Sequence, residues 1–171
     1  MTGRINTFRT AVIERIKTMM PAAKTVEAQF GRFDLDELER TMLRCPAVRV
    51  AALLGKVSPV ASGQGEAELQ CAAFIVTDGK DRDEAGWTMA EAIATLMHSG
   101  QLWGLTRLGA PDKVKIQPVV SASIRDRGVA IIAIEWSQTV RSLGENIFDE
   151  AGVLLEELYV NDVRVIGGVD E

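Results

Sequence analysis

The run from Val129 to Val140 constrains this chain more than any other segment. Read with strand periodicity, one face carries Val129, Ile131, Ala133, Glu135, Ser137 and Thr139, and the other carries Ala130, Ile132, Ile134, Trp136, Gln138 and Val140. Its first half is apolar on both faces, which predicts an interior strand covered on two sides, while its second half is mixed. A second apolar run, Val114 to Ala122, precedes it across Ser123 to Gly128. Neither run holds a nucleophile beside a base, a pair of metal ligands or a phosphate-binding glycine loop. The central segment therefore points to scaffold or assembly work rather than chemistry.

Around this pair the chain alternates between helical and strand periods. Ile5, Phe8, Val12, Ile13, Ile16, Met19 and Met20 recur at helical spacing, with Arg4, Arg9, Glu14, Arg15 and Lys17 left for water, and Pro21 ends the pattern. Ala22 to Phe33 has weak periodicity and reads as a surface crossing. A second helix is expected to begin at Asp34, with Glu37 in the capping-box position and Leu35, Leu38 and Met42 on its apolar side. It stops near Cys45, because the residue before Pro46 is disfavoured in helical geometry.

Ala47 to Leu54 and Glu66 to Thr77 read as antiparallel strands. They are separated by Gly55 to Gly65, a projecting loop too long for a tight turn. The polar stretch Asp78 to Glu84 leads into a helix whose Met89, Ile93, Leu96 and Met97 face the core and whose end is set by Gly100. Gln101 to Pro111 is irregular but holds Leu102, Trp103, Leu105 and Leu108, so it is expected to pack on the domain or on a neighbour. Arg141 to Gly152 reads as irregular, Leu154 to Val165 as a short hairpin about Asn161-Asp162, and residues 167–171 as a frayed acidic end. Helices segregated against a largely antiparallel, mixed sheet of about four to six strands define an α+β fold in a single domain.

Composition narrows the partners. At 171 residues and 47% hydrophobic content the chain can bury a full core without disulfides or metals. A net charge of −5 argues against affinity gained by neutralising phosphates, yet suits a wall past which DNA travels without sticking. Cys45 and Cys71 are too far apart in sequence for a metal-ligand motif and read as buried thiols. Met1 to Met20 mixes charges with apolar residues, so it reads as neither a signal peptide nor a membrane span, and assembly in the cytoplasm is expected.

Each chemical candidate has a plainer reading. His98, the sole histidine, has no nucleophile at a recognisable spacing. Gly63-Gln64-Gly65 lacks the helix and the Lys-Ser or Lys-Thr pair of a phosphate cradle. Asp78, Asp81, Asp83 and Glu84 do not match the ligand spacing of a calcium loop and read as a solvated helix start. Glu156 and Glu157 are adjacent, so on a strand they point to opposite faces. Trp87, Trp103 and Trp136 are candidate assembly contacts, since tryptophan anchors interface centres as well as cores. Ser58, Val60 and Gln64 are further candidates, on the loop. No catalytic, cofactor-binding or metal residue is assigned.

The order of these features resembles the tail terminator proteins of long-tailed phages, particularly those of Mu-like phages and prophages. The resemblance is carried by the helix Ile5 to Met20, the phrase Cys45-Pro46-Ala47-Val48-Arg49-Val50, the strand Ala72 to Thr77, the helix Ala90 to His98 followed by Trp103-Gly104-Leu105, and Ala133-Ile134-Glu135-Trp136-Ser137-Gln138. It implies a non-enzymatic virion protein of the tail and neck. Six copies would form a ring that caps the tail tube, stops its growth and docks the head-side connector. The implied partners are further copies of the chain, the tail tube protein and a connector or neck protein, with DNA only as a passing, weakly contacted polymer and no membrane. Asp78, Asp81, Asp83 and Glu84 are then candidates for lumen charge. Two other classes compete: another neck or head-tail connector component, and a small ligand-binding or enzymatic domain with a pocket under Gln101 to Pro111.

Overall fold

The computed structural model describes residues 3–33, 43–59, 65–119, 128–144, 158–160 and 163–166. Its frame is a five-stranded sheet built outward from β5 (Val129–Leu143), which is paired antiparallel with β3 (Gly65–Asp78) on one side and β4 (Asp112–Pro118) on the other. Next to β3 lies β2 (Ala47–Pro59), also antiparallel, and β1 (Thr25–Phe30) adds to β2 in parallel, giving the order β1-β2-β3-β5-β4. Among the described residues two helices, α1 (Arg4–Met19) and α2 (Arg82–Ala94), pack on this sheet. A separate antiparallel pair joins β6 (Leu158–Val160) to β7 (Val163–Ile166). The architecture is a mixed-sheet α+β fold.

The expected double cover of the interior strand β5 is what organises the core. On one face, Phe8, Val12 and Ile16 of α1 and Met89, Ala90 and Ile93 of α2 close over Leu69, Ile75, Ile134, Trp136 and Val140. On the other, Ala47, Ala51, Ala72, Phe74, Val76, Ile131 and Ala133 are buried, with Phe33 and Leu43 packed against them. The rings of Phe33 and Phe74 lie 5.8 Å apart there. Alanines make up four of those seven buried residues on this second face. Complete burial of side chains such as Ile75 and Ile134 stabilises the fold by about 1.5–3 kcal/mol each.

Local chemistry fixes the helices. In α1 the buried residues are Phe8, Val12, Ile13 and Ile16, while Ile5 and Met19, at the ends of the apolar stripe, stay largely exposed. Arg4 ties the start of α1 to the distal end of the sheet by donating to the carbonyl oxygens of Thr106, at 2.6 Å, and Arg141, at 3.3 Å. Helix α2 comes close to β3 and β5 at Gly86, where a Cβ would lie 3.1 Å from Ile132 Cδ1 and 3.2 Å from Thr77 Oγ1. The Thr77 hydroxyl donates to the carbonyl of Arg82 at 2.7 Å, holding the turn between β3 and α2.

Several sequence expectations change. Residues 25–30 form a parallel edge strand rather than a surface crossing; their pattern hides because only Val26 and Gln29 are buried. Gly55 to Pro59 is not loop: β2 continues through it, with the ladder running to Pro59 opposite Gly65. Gly55 belongs in that ladder because Leu69 Cδ2 lies 3.1 Å from where its Cβ would be. Helix α2 ends at Ala94, so His98 lies past the last helical turn, and Arg141 to Leu143 extends β5. The expected helix at 34–42, Val60, Gln64, the Asn161-Asp162 turn and the end at 167–171 fall outside the described residues.

Candidate functional site

The three tryptophans part company. Trp103 and Trp136 are core residues at 6% and 2% exposure, whereas Trp87 is 47% exposed, so only Trp87 offers a face to a partner in this conformation. The buried pair is organised by Gln138 on β5. Its Oε1 accepts from the indole Nε1 of Trp103 at 2.9 Å and of Trp136 at 3.3 Å, and its Nε2 donates to the carbonyls of Gly109 at 2.8 Å and Gln101 at 3.4 Å. The indole rings sit 6.4 Å apart. This network fastens the irregular 101–111 connection to the sheet and explains why so apolar a segment lies flat on the domain. Its polar atoms are paired with one another, so the network is a fastener and not a site.

Trp87 stands on the outer face of α2 above the edge strand β4. Together with Glu84, Thr88, Glu91, Ala94, Thr95 and Ile116 it lines a shallow groove of about 480 Å³. Every residue of β4 is exposed, including Val114 and Ile116, and beyond β4 no further strand is paired among the described residues. The opposite side of the sheet has a second edge with no further strand paired among the described residues. Strand β1 stops at Phe30, opposite Ala52, and a bulge at Ala52/Leu54 turns β2 into a free stretch from Leu53 to Pro59. Phe30, Leu54 and Val57 are 94%, 59% and 66% exposed. Among the described residues, five of the nine large exposed hydrophobics thus lie on the two edges of the sheet, and Trp87 stands on α2 beside one of them. Ser58, the described member of the loop candidates, is part of this stretch, paired with Glu66.

The acidic group lies elsewhere. Asp78 ends β3, and Asp81, Asp83 and Glu84 are exposed at the start of α2, where the latter two interact favourably with the helix N-terminus. Because β3 runs from Gly65 to Asp78, its start beside Pro59 and the acidic turn are separated by the length of that strand, roughly 40 Å. The structure joins Glu84 to Trp87 in one groove and keeps the acidic turn away from Ser58.

A smaller cavity, about 120 Å³, opens on the sheet face away from the helices and is lined by Arg32, Leu53, Gln70, Lys113, Lys115, Glu135 and Ser137 among others. Three of its four charged side chains are paired: Arg32 reaches Glu135 at 3.3 Å and Lys113 reaches Glu68 at 2.9 Å, and the Glu68 carboxylate holds the Lys113 ammonium above the usual lysine range. His98 lines neither opening, and its Nδ1 accepts from the Gly100 N–H at 3.2 Å. Cys45 and Cys71 are buried, and desolvation pushes the Cys71 thiol up to about 12. Among the described residues no three His, Cys, Asp or Glu side chains gather as metal ligands, and no helix is long and apolar enough to cross a membrane.

None of the edge residues Phe30, Leu54, Val57, Val114 and Ile116 was among the contacts expected from sequence, although Leu54, Val114 and Ile116 lie in runs that read as strands. The signal for Val57 was present as alternation through Gly55, Val57 and Pro59, but glycine and proline masked it as a loop. No protein-family model matches the chain, and a search of curated proteins finds no match.

Proposed function

We propose that the protein is a structural component of a long-tailed phage particle, a ring-forming tail terminator that caps the tail tube, ends its polymerisation and joins it to the head-side connector. The observation that carries this reading, beside the family resemblance of the sequence, is the separation of unlike surfaces on one stiff sheet. The β2–β3 ladder ends at Pro59 and Gly65 at one end of β3, the acidic turn lies at the other, and on both sides the sheet has edges with no further strand paired among the described residues. A ring placed between two different structures needs two different rims and sides that meet its own neighbours. Its partners are further copies of this chain, the tube protein and a connector, and its place is the virion. DNA passes the ring and is contacted weakly, in keeping with the net charge of −5.

The test is deletion of the gene from the phage or prophage that carries it, followed by electron microscopy of the lysate. Headless tails of excess and irregular length are expected. Tails of normal length left unjoined to heads would assign the protein to the connector instead, and normal infectious particles would overturn an assembly role.

A further inference from the structure

Resting on that reading, we propose that the ring is held together edge to edge: the free stretch of β2 in one copy pairs antiparallel with the free edge of β4 in the next. The partner is a second copy because the chain supplies both halves of the contact in equal number. Leu53–Pro59 and Asp112–Pro118 are similar in length, and neither has a strand beside it among the described residues. Each edge carries its own exposed apolar side chains, Phe30, Leu54 and Val57 on one and Trp87, Val114 and Ile116 on the other. The contact is heterologous, so it passes from copy to copy without closing into a dimer.

The register follows from face and charge. Val57 is paired with Ala67, and Ile116 with Ile134, both on the helix-covered face, so these two must share a face in a continuous sheet. Placing Val57 opposite Ile116 aligns Leu54–Pro59 with residues 114–119, sets Lys56 opposite Gln117, and brings Val57 beside the groove under Trp87. Sliding by two residues to place Val57 opposite Val114 would set Lys56 against Lys115, a like-charge pair that destabilises a ladder.

The outward backbone is available as well. Val119 donates inward to Ile131 at 2.8 Å, so by alternation the Ile116 N–H faces the open side, where Pro118 has no donor to waste. Six paired residues with these side chains remove on the order of 1,000 Å² of total surface, the threshold of a specific interface. Val57 lies level with Val140 on β5 and Ile116 with Ile134, so the edges are offset by six residues across four strands. Repetition then closes only with strands tilted by about 45°, the steep end of the range found in closed barrels.

The contact is tested with V57C and I116C, made separately in the full chain, mixed and oxidised; the native thiols, being buried, stay silent. Disulfide-linked heterodimers that exceed either homodimer by at least tenfold are expected, and a V57C/I116C double variant should give a ladder of oligomers. In parallel, V57K and I116K should each block assembly alone, yet pair as a dimer when mixed, because each retains the edge the other lost. Homodimers in equal yield, absence of any cross-link, or no recovery on mixing would overturn the interface. If the wild-type protein is found as a ring on tails while these pairs fail, the interface is wrong and the tail reading stands. If the pairs succeed while the protein is absent from tails, the reverse holds.

Discussion

Replacing Gln138 with methionine removes the one side chain that satisfies both buried indoles while nearly conserving volume. Gln138 is 1% exposed, so water cannot take its place. The Nε1–H groups of Trp103 and Trp136 lose their shared acceptor, and the carbonyls of Gly109 and Gln101 lose a donor. An orphaned buried donor costs about 1–3 kcal/mol. With two such donors, offset by the gain from burying an apolar side chain, Q138M should destabilise the protein by about 2–4 kcal/mol. At this chain length that lowers Tm by roughly 5–15 °C. Urea unfolding followed by tryptophan fluorescence and by far-UV circular dichroism measures it, with Q117M on the exposed strand β4 as a control expected within about 0.5 kcal/mol of wild type. A double-mutant cycle sharpens the claim: W103F deletes one orphan, so Q138M should cost about 1 kcal/mol less in that background. A loss below about 0.5 kcal/mol for Q138M, or full additivity with W103F, would show that Gln138 is not the acceptor that both indoles depend on.

Core truncation should follow the double cover of the sheet. L69A, at a fully buried site beneath Gly55, is expected to cost about 2–5 kcal/mol by chemical denaturation, against less than about 1 kcal/mol for L54A at the exposed position beside it. Alkaline pH should weaken the fold through Cys71. Its folded thiol keeps its proton up to about 12, whereas the unfolded thiol releases it near 9. The folded state therefore binds more protons in that window, and stability falls by about 1.4 kcal/mol per pH unit from roughly pH 9 to 12. Unfolding midpoints of wild type and C71A at pH 8 and pH 10.5 should converge as pH rises, and parallel curves would contradict this. Duplex DNA should bind weakly at low salt and not at physiological ionic strength, while D81K/D83K/E84K should bind measurably. Salt-resistant binding by the wild type would remove the conduit reading.

How much was legible follows from how strongly each segment's own residues dictate its state. Strand β5 was read from doubled apolar alternation through Ile131 to Ile134, and the structure places it in the interior of the sheet, between β3 and β4, with both faces covered at that point. The helical stripe of Phe8, Val12 and Ile16 was equally plain. Strand β1 was not legible, because six residues with two buried positions carry no period of their own; parallel pairing to β2 makes them a strand. Likewise Gly55 and Pro59 spoke for a loop, and only the opposing strand from Gly65 to Leu69 holds them in a ladder. The tryptophans show the limit for sites. Nothing local distinguishes Trp87 from Trp103, since exposure is decided by the distant Gln138 and by the 101–111 connection lying over the sheet. The two open edges were invisible for the same reason: an edge is a property of strand order, which no single segment encodes.

A ring at the head-proximal end of a tail requires several copies of this chain at that one place. Counting copies per purified tail, by quantitative mass spectrometry against the tape-measure protein and by antibody labelling of tail ends, tests it most directly. Six copies at one end of each tail are expected. A single copy per tail, or label spread along the tube, would contradict it.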